Sequence, residues 1–293
     1  MNKGVLYAIA AYTLWGFFPI YLKALSTVPA FQITAHRVVW SFVLLTAILL
    51  ARREVRQLLA VLSPHMLLLY LAAGALLAVN WLVFVWAVVS GFVVETSLGY
   101  FINPLVSVLL GMVFLREKLR AWQWLPVGLA TAGVLWLTLS LGVPPWIALV
   151  LATTFGLYGL VKKVAPLGSL FGLTVETTLI FLPALGFLLL QEGTGVGAFG
   201  HADGLTNLLL ILTGAVTVAP LLLFSAGVRL IPLSTMGLLQ YISPRLQFLS
   251  GVLLFGESFS LARGVGFGLV WLALIAFSVE NYLHWHKASS KAG

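Results

Sequence analysis

Long apolar runs separated by short polar turns dominate the chain. A bilayer core needs ~20 apolar helical residues for one crossing, and most charge-free intervals have about that length. The run from Ala121 to Val161 is too long for one crossing, and the turn signal at 142–145 divides it. The pattern therefore predicts an all-α integral membrane protein with ten transmembrane helices. Their expected positions are 4–22, 31–51, one helix within 57–94 that begins near Pro64, 96–115, 121–141, 146–163, 168–190, 205–229, 232–255 and 264–283.

Composition supports this fold class. Only 8% of the 293 residues are charged, and 61% are hydrophobic. An average soluble domain has roughly 25% charged residues, so a soluble fold of this size could not cover its surface. The mean hydropathy of +1.09 points the same way.

The same composition excludes several function classes. The chain has no cysteine, so disulfides, thiolate metal sites and iron–sulfur clusters are excluded. Its five histidines show no metal-ligand spacing, and no phosphate-binding loop of the GxxxxGK[ST] type occurs. The net charge of +8 is spread between apolar blocks, which indicates membrane topology and not nucleic-acid binding. We expect no metal, no cofactor and no enzymatic activity. The expected partners are a small-molecule substrate and the lipid bilayer, with no protein partner predicted.

Two halves of the chain match without a gap at an offset of 140 residues. The rarer residues that coincide are Gly16 with Gly156, Lys23 with Lys163, Thr34 with Thr174, Gly74 with Gly214, Pro104 with Pro244, Gly111 with Gly251, Glu117 with Glu257, and Gly128 with Gly268. The chain is thus predicted to be a duplication, with a first five-helix repeat over 1–141 and a second over 142–293. Because the first helix has a counterpart in the second half, we expect it to belong to the fold and not to be a cleaved signal peptide.

Five helices per repeat place the second copy upside down relative to the first. With a cytoplasmic N-terminus, the cytoplasmic segments carry 12 of the 16 Lys and Arg residues, and the outer segments carry only Lys23 and Arg263. This asymmetry follows the positive-inside rule. We therefore expect inverted repeats with both termini in the cytoplasm.

Inverted repeats are typical of secondary transporters, whose substrate site lies near the membrane midplane between the repeats. Alternating access then follows from movement of one repeat against the other. A channel is less favoured because no filter motif is visible. A non-transporting sensor is a further alternative, and a membrane enzyme is less favoured still because Ser and His are scattered.

Several motifs resemble the RarD family, in the EamA branch of the drug/metabolite transporter superfamily. They are AYTLWGFFPIYLKAL (11–25), TAHRVVWS (34–41), NWLVFVWAV (80–88), ETSLGYFINPLVSVLLGMVFLREKL (95–119), LYGLVKK (157–163) and STMGLLQYISP (234–244). The resemblance spans about residues 3–283. It implies ten helices around a central cavity and secondary transport, often export, across a bacterial cytoplasmic (inner) membrane. Proton coupling is one possibility, and a facilitative carrier or importer is the alternative.

Ionisable residues within the spans are candidates for function, because burying a charge in a bilayer costs ~2.5–3.5 kcal/mol on insertion scales. Glu176 lies ~12 Å into its helix at 1.5 Å per residue. It is a candidate proton-coupling acid or counter-ion to a cationic group of the substrate, and the alternative is a structural partner of Arg37, Arg245 or His36. His36 occupies the equivalent repeat position, and Glu95 begins a later span. These three acidic or histidine residues, Glu176, His36 and Glu95, are the proton-coupling candidates. We expect Arg37 to be a structural anchor.

Polar and aromatic residues near mid-helix complete the predicted pathway. Asn80 and Trp81 suit an aromatic-lined pocket, and Asn103 lies on a polar stripe of its helix. The further pathway candidates are Lys23, Trp15, Tyr158 and Tyr241. Lys23 is equally explained by interaction with lipid headgroups.

The proline positions and one departure from the family pattern add two more predictions. Pro104 and Pro244 each remove a backbone hydrogen bond, so we expect paired helix bends. After Pro244 the sequence has Arg245 and Gln247, where the resemblance implies small or apolar residues. Arg245 is therefore a candidate either to pair with Glu176 or to bind an anionic group of the substrate, with help from Gln247.

Overall fold

The computed structural model describes residues 2–89, 93–141 and 146–246, together with isolated positions between 249 and 279. This part of the chain is all-helical and contains no strand. Helices are expected here because a bilayer offers no water to hydrogen-bond the backbone, and a helix satisfies its own amides. The helices are α1 (Lys3–Ala24), α2 (Ala30–Ala51), α3 (Val55–Val61), α4 (Pro64–Val89), α5 (Val93–Phe114), α6 (Trp124–Leu141), α7 (Trp146–Val164), α8 (Ser169–Gly193), α9 (Gly204–Leu230) and α10 (Leu233–Leu239).

Six of these helices are long and apolar enough over their described residues to cross a membrane: α1, α2, α4, α7, α8 and α9. A shorter apolar helix covers Gly99–Phe114 within α5. The predicted spans up to residue 229 agree with the observed helices to within a few residues. Most of the span predicted at 264–283 lies outside the described residues, so the count of ten stays a prediction.

Two details differ from the sequence-based expectation. The short helix α3 was not predicted, because its apolar residues merge with the following span in the hydropathy pattern. The two prolines also behave differently. The helix containing Pro244 is interrupted at 240–241 and resumes over 242–246, whereas α5 runs through Pro104 without interruption. The paired bends at the two prolines therefore stay a prediction.

The helices pack closely where small residues meet. A Cβ atom added to Gly214 of α9 would lie 2.6 Å from the backbone carbon and oxygen of Trp40 in α2. Small residues allow such close helix approach in membranes. The packing of α2 against both α8 and α9 places the middle of α2 deep in the bundle.

The connection between α8 and α9 folds back on α2. The side-chain amide of Gln32 donates from Nε2 to the carbonyl oxygen of Val196 (2.7 Å), and its Oε1 accepts from the backbone N–H of Ala198 (2.9 Å). Phe199 packs on His36 and Trp40, with ring centroids 5.3 and 5.7 Å apart. The connection is therefore an ordered cover over one end of α2.

Candidate functional site

A cavity lies among helices from both halves of the chain. Its lining residues come from α1, α2, α4 and α5 in the first half, and from α7, α9 and residues 240 and 243 in the second. The space they surround, including its open mouth, is about 840 Å³. Because this volume includes the open mouth, it is an upper bound on the space that a ligand could fill.

Aromatic rings form a large part of the described cavity wall. Trp15 and Phe155 pack edge to face with their centroids 5.7 Å apart, and Phe84 lies 6.0 Å from Tyr100. Trp81 lies on the wall that the cavity shares with a neighbouring space. Such a wall offers both ring faces and ring edges to a flat ligand.

Polar groups interrupt this wall at a few places. Asn80 of α4 donates from Nδ2 to the carbonyl oxygen of Leu151 and to Oγ1 of Thr154, each at 2.9 Å. Asn103 is buried and accepts a hydrogen bond from Ser107. The hydroxyl of Tyr12 is buried and has no hydrogen-bond partner in the described part of the chain. A buried hydroxyl without a partner is unusual, and the residue that carries it is among those that line the cavity.

Arg37 supplies the positive charge of the cavity. Its guanidinium carbon lies 4.8 Å from the ring centroid of Phe18 and 4.4 Å from that of Trp81. Its Nε donates to Oγ1 of Thr217 at 3.0 Å. The sequence predicts a structural anchor at Arg37, and the structure places this residue on the cavity wall.

Glu176 belongs to a buried polar cluster beside this cavity. Its Oε1 lies 2.8 Å from Nζ of Lys162, and its Oε2 accepts from the hydroxyl of Tyr158 at 3.1 Å. The side chains of Lys162 and Glu176 are 2% and 1% exposed. Glu176 also lines a smaller space of about 300 Å³, separated from the main cavity by residues that line both. These shared residues are Leu77, Trp81 and Leu221.

This pairing differs from the partners considered from the sequence. Glu176 pairs with Lys162, and not with Arg37, His36 or Arg245. The distribution of charges along the chain predicts only a cytoplasmic basic residue at Lys162. A signal was present, because Tyr158 and Lys162 are four residues apart and therefore lie on one face of α7.

The structure brings some of the predicted site residues together and separates others. Four line the cavity: Trp15, Asn80, Trp81 and Asn103. His36 instead packs against Phe199, with its Nδ1 buried and unpartnered among the described residues.

Three more of these residues lie away from the cavity lining. The hydroxyl of Tyr241 donates to the carbonyl oxygen of Phe101 at 3.2 Å. Lys23 is exposed at the end of α1, and Arg245 is exposed on the 242–246 segment. The side chain of Glu95 and the whole of Gln247 lie outside the described residues.

Long apolar helices around a polar and aromatic cavity define the class of a multi-pass membrane protein. A solved crystal structure shares this fold, with a TM-score of 0.70 over 93% of this chain and 96% of its own, at 19% identity. Residues 2–139 match the EamA-like transporter family.

Curated relatives narrow the class. Protein RarD of Streptomyces exfoliatus is 45% identical over 282 residues, covering 94% of this chain and 87% of its own length. The uncharacterized transporter YojE of Bacillus subtilis is 43% identical over 292 residues, covering 98% and 97%. The chloramphenicol-sensitive protein RarD of Pseudomonas aeruginosa is 34% identical over 282 residues, covering 94% and 93%. The chain belongs to the RarD family of EamA-like transporters, within the drug/metabolite transporter superfamily.

Proposed function

We propose that the protein carries a small organic compound across the bacterial cytoplasmic membrane by alternating access, and that the cavity is its substrate site. The observation that carries this proposal is the composition of the cavity wall, to which helices from both halves of the chain contribute. A site between two halves can open to either side when the halves move against each other. The names of its relatives describe transporters, which supports the same class.

The two halves are proposed to be inverted repeats, over 1–141 and 142–293, with both termini in the cytoplasm. The helix contacts support this pairing. At the 140-residue offset, α1 corresponds to α7 and α4 to α9, and the contact of α1 with α9 has its counterpart in the contact of α7 with α4. The self-paired contacts of α2 with α8 and α5 with α10 fit the same symmetry.

Single cysteines test this topology, because the native chain has none. A cysteine at 52–56 should react with a membrane-impermeant thiol reagent only from the cytoplasmic side, and one at 194–203 only from outside. Labelling of the 194–203 connection from the cytoplasm would reject the inverted arrangement.

Export coupled to protons is the finer form of the proposal, with Glu176 as the coupling group. Its place beside the cavity and its contacts with Lys162 and Tyr158 support the assignment, because a proton on Glu176 would weaken the ion pair and free Lys162. Facilitated diffusion is the competing form, and His36 and Glu95 are the alternative coupling groups.

Proteoliposomes separate the coupled form from the facilitative one. Glu176→Gln keeps the shape of the side chain but cannot release a proton, so it should abolish accumulation driven by a pH gradient and retain substrate exchange. Unchanged gradient-driven accumulation in this variant would move coupling to His36 or Glu95. Absence of any gradient-driven accumulation in the wild type would favour facilitated diffusion.

A further inference from the structure

Part of the Arg37 guanidinium has no hydrogen-bond acceptor in the described part of the chain. Phe18 and Trp81 cover it with their rings, and Thr217 accepts from Nε. Among the described residues, no carbonyl, hydroxyl or carboxylate oxygen accepts from Nη1 or Nη2. The outer edge of the guanidinium carries the paired donors that suit a carboxylate, and no described residue accepts a hydrogen bond from it.

The acidic residues whose contacts the structure describes are all engaged elsewhere. Glu176 is buried and pairs with Lys162. Glu117 accepts a hydrogen bond from the backbone at the start of α10. The remaining three are Glu54 with Arg52, Glu192 with His201, and Asp203 with Thr206. The chain has eight acidic residues in all, and none of these five neutralises Arg37.

The cavity itself carries a positive charge, because Arg37 lines it and no described acidic residue neutralises this side chain. Arg37 is the charged residue among the described residues that line it. Glu176 lies beyond the wall that includes Leu77 and Trp81, and its carboxylate is already paired. A guanidinium stays charged at any ordinary pH, and an unpaired charge away from water is costly. An anionic ligand would offset this cost.

The remaining wall indicates the shape of that ligand. Trp15, Phe155 and Phe84 present ring surfaces to the same cavity, which favours a flat, unsaturated body. The buried hydroxyl of Tyr12, another lining residue, has no hydrogen-bond partner among the described residues. Tyr12 lies six residues before Phe18, which is ~9 Å along the helix axis.

We propose that Arg37 binds the carboxylate of a flat organic anion in the cavity, and that this protein selects aromatic or conjugated carboxylic acids over their neutral analogues. The proposal deepens the transport function proposed above and rests on the cavity being the substrate site. It assigns Arg37 as the residue that determines charge specificity, with Thr217 fixing the orientation of its guanidinium.

Matched acids and amides test this assignment, because they share one body and differ in charge. The probes are phenylacetate and phenylacetamide, cinnamate and cinnamamide, and indole-3-acetate and indole-3-acetamide, with phenyl phosphate as a second anion. Binding is measured as the rise in melting temperature of the purified protein during titration. At least one acid should act at about tenfold lower concentration than its amide, given the strength of hydrogen bonds to charged groups.

Arg37→Gln should remove this preference, so that acid and amide act at equal concentrations. Arg37→Lys keeps the charge but loses the two-pronged geometry, and should retain a weaker preference. Arg245→Gln is the matched control, because it removes the same charge from a residue that does not line the cavity. This control should keep the full preference of the wild type. Phenyl phosphate acting in place of every carboxylate would overturn the assignment to carboxylic acids.

Several outcomes would overturn the role of Arg37. They are an undiminished acid preference in Arg37→Gln, and the absence of any response of the wild type to the acids. Restored stability in an Arg37→Gln/Glu95→Gln double variant, where each single variant is destabilised, would assign Arg37 to Glu95 as a structural partner. If Arg37→Gln does not fold, the acid preference of Arg37→Lys is compared with that of the wild type, and an undiminished preference overturns the role of Arg37.

Electrical recording separates this inference from the proposed function. Proteoliposomes on a solid support report the charge moved when a binding acid is added. Arg37-dependent binding without charge movement or uptake would contradict transport and leave the anion site standing. Uptake of neutral and acidic probes at equal concentrations would retain transport and contradict the anion site.

Discussion

The buried pair of Lys162 and Glu176 gives a quantitative prediction about stability. The Nζ–Oε1 distance is 2.8 Å, and both side chains are almost fully buried. The ring of Tyr70 lies 5.7 Å from Nζ, so there is little room for water around the cation. Removing one partner of such a pair leaves an uncompensated charge and costs about 3–5 kcal/mol. We expect Glu176→Gln and Lys162→Met each to lower the free energy of unfolding by about 3 kcal/mol.

The double variant should lose much less than the sum of the two single losses. Once one partner is absent, removal of the second also removes an unpaired charge. The expected coupling is about 2 kcal/mol, within the range that double-mutant cycles report for contacting residues. Unfolding in mixed micelles with increasing sodium dodecyl sulfate measures the four free energies.

A neighbouring lysine on the same helix provides the control cycle. Nζ of Lys163 donates to the carbonyl oxygens of Val228 (3.1 Å) and Ile231 (2.6 Å), and so it contacts the end of α9 and not Glu176. Lys163→Met should therefore be additive with Glu176→Gln to within about 0.5 kcal/mol. Additivity of the same size in the Lys162 cycle would refute the pairing.

Three smaller predictions concern helix ends and helix packing. Glu117 accepts hydrogen bonds from the backbone N–H groups of Leu233 and Ser234 at 2.7 and 2.9 Å. Glu117→Gln should therefore destabilise α10 by about 1–2 kcal/mol, and an unchanged midpoint of denaturant unfolding would contradict this capping role. Hydrogen bonds from the backbone N–H and hydroxyl of Thr206 hold the pKa of Asp203 below its ordinary value. The stability that the Asp203 carboxylate contributes is therefore complete above about pH 4 and is lost as pH falls through the lowered pKa. The melting temperature of Asp203→Asn should fall less than that of the wild type between pH 6 and pH 3. Gly214→Ala should lower the melting temperature, because the added Cβ would meet the backbone of α2. The control Gly186→Ala adds a Cβ that meets no neighbouring group within 4 Å, and equal melting temperatures of the two variants would contradict the close packing.

Hydropathy predicted the positions of the spans up to residue 229, because helix length in a bilayer follows directly from apolar run length. Charged residues also indicated where several helices end. For example, α2 ends at Ala51, directly before Arg52 and Arg53. The short helix α3 could not be separated in this way, because its apolar residues continue into the next apolar interval. The sequence pattern could not predict where a helix is interrupted. Pro104 and Pro244 occupy matched sequence positions, but only Pro244 lies beside a break in the helix assignment.

The site was less accessible to sequence reasoning, because it depends on which way side chains point across separate helices. Trp15, Asn80, Trp81 and Asn103 were predicted for the pathway, and the structure places all four on the cavity wall. Lys162 was missed because its partner lies 14 residues away on another helix, beyond a turn.

Arg37 was likewise underestimated, because its exposure to the cavity depends on the packing of α1, α4 and α9 around α2. Hydropathy records that a charge lies within a span. It does not record whether the charged edge meets another residue or an open space.

We propose that the cavity is a transport site that opens in turn to each side of the membrane. A cysteine in place of Asn103, on a native background without cysteine, tests it directly. A membrane-impermeant thiol reagent should modify this cysteine from either face of oriented vesicles, a binding acid should slow both reactions, and modification should block transport. Reaction from one face alone, or modification that leaves transport intact, would contradict the account.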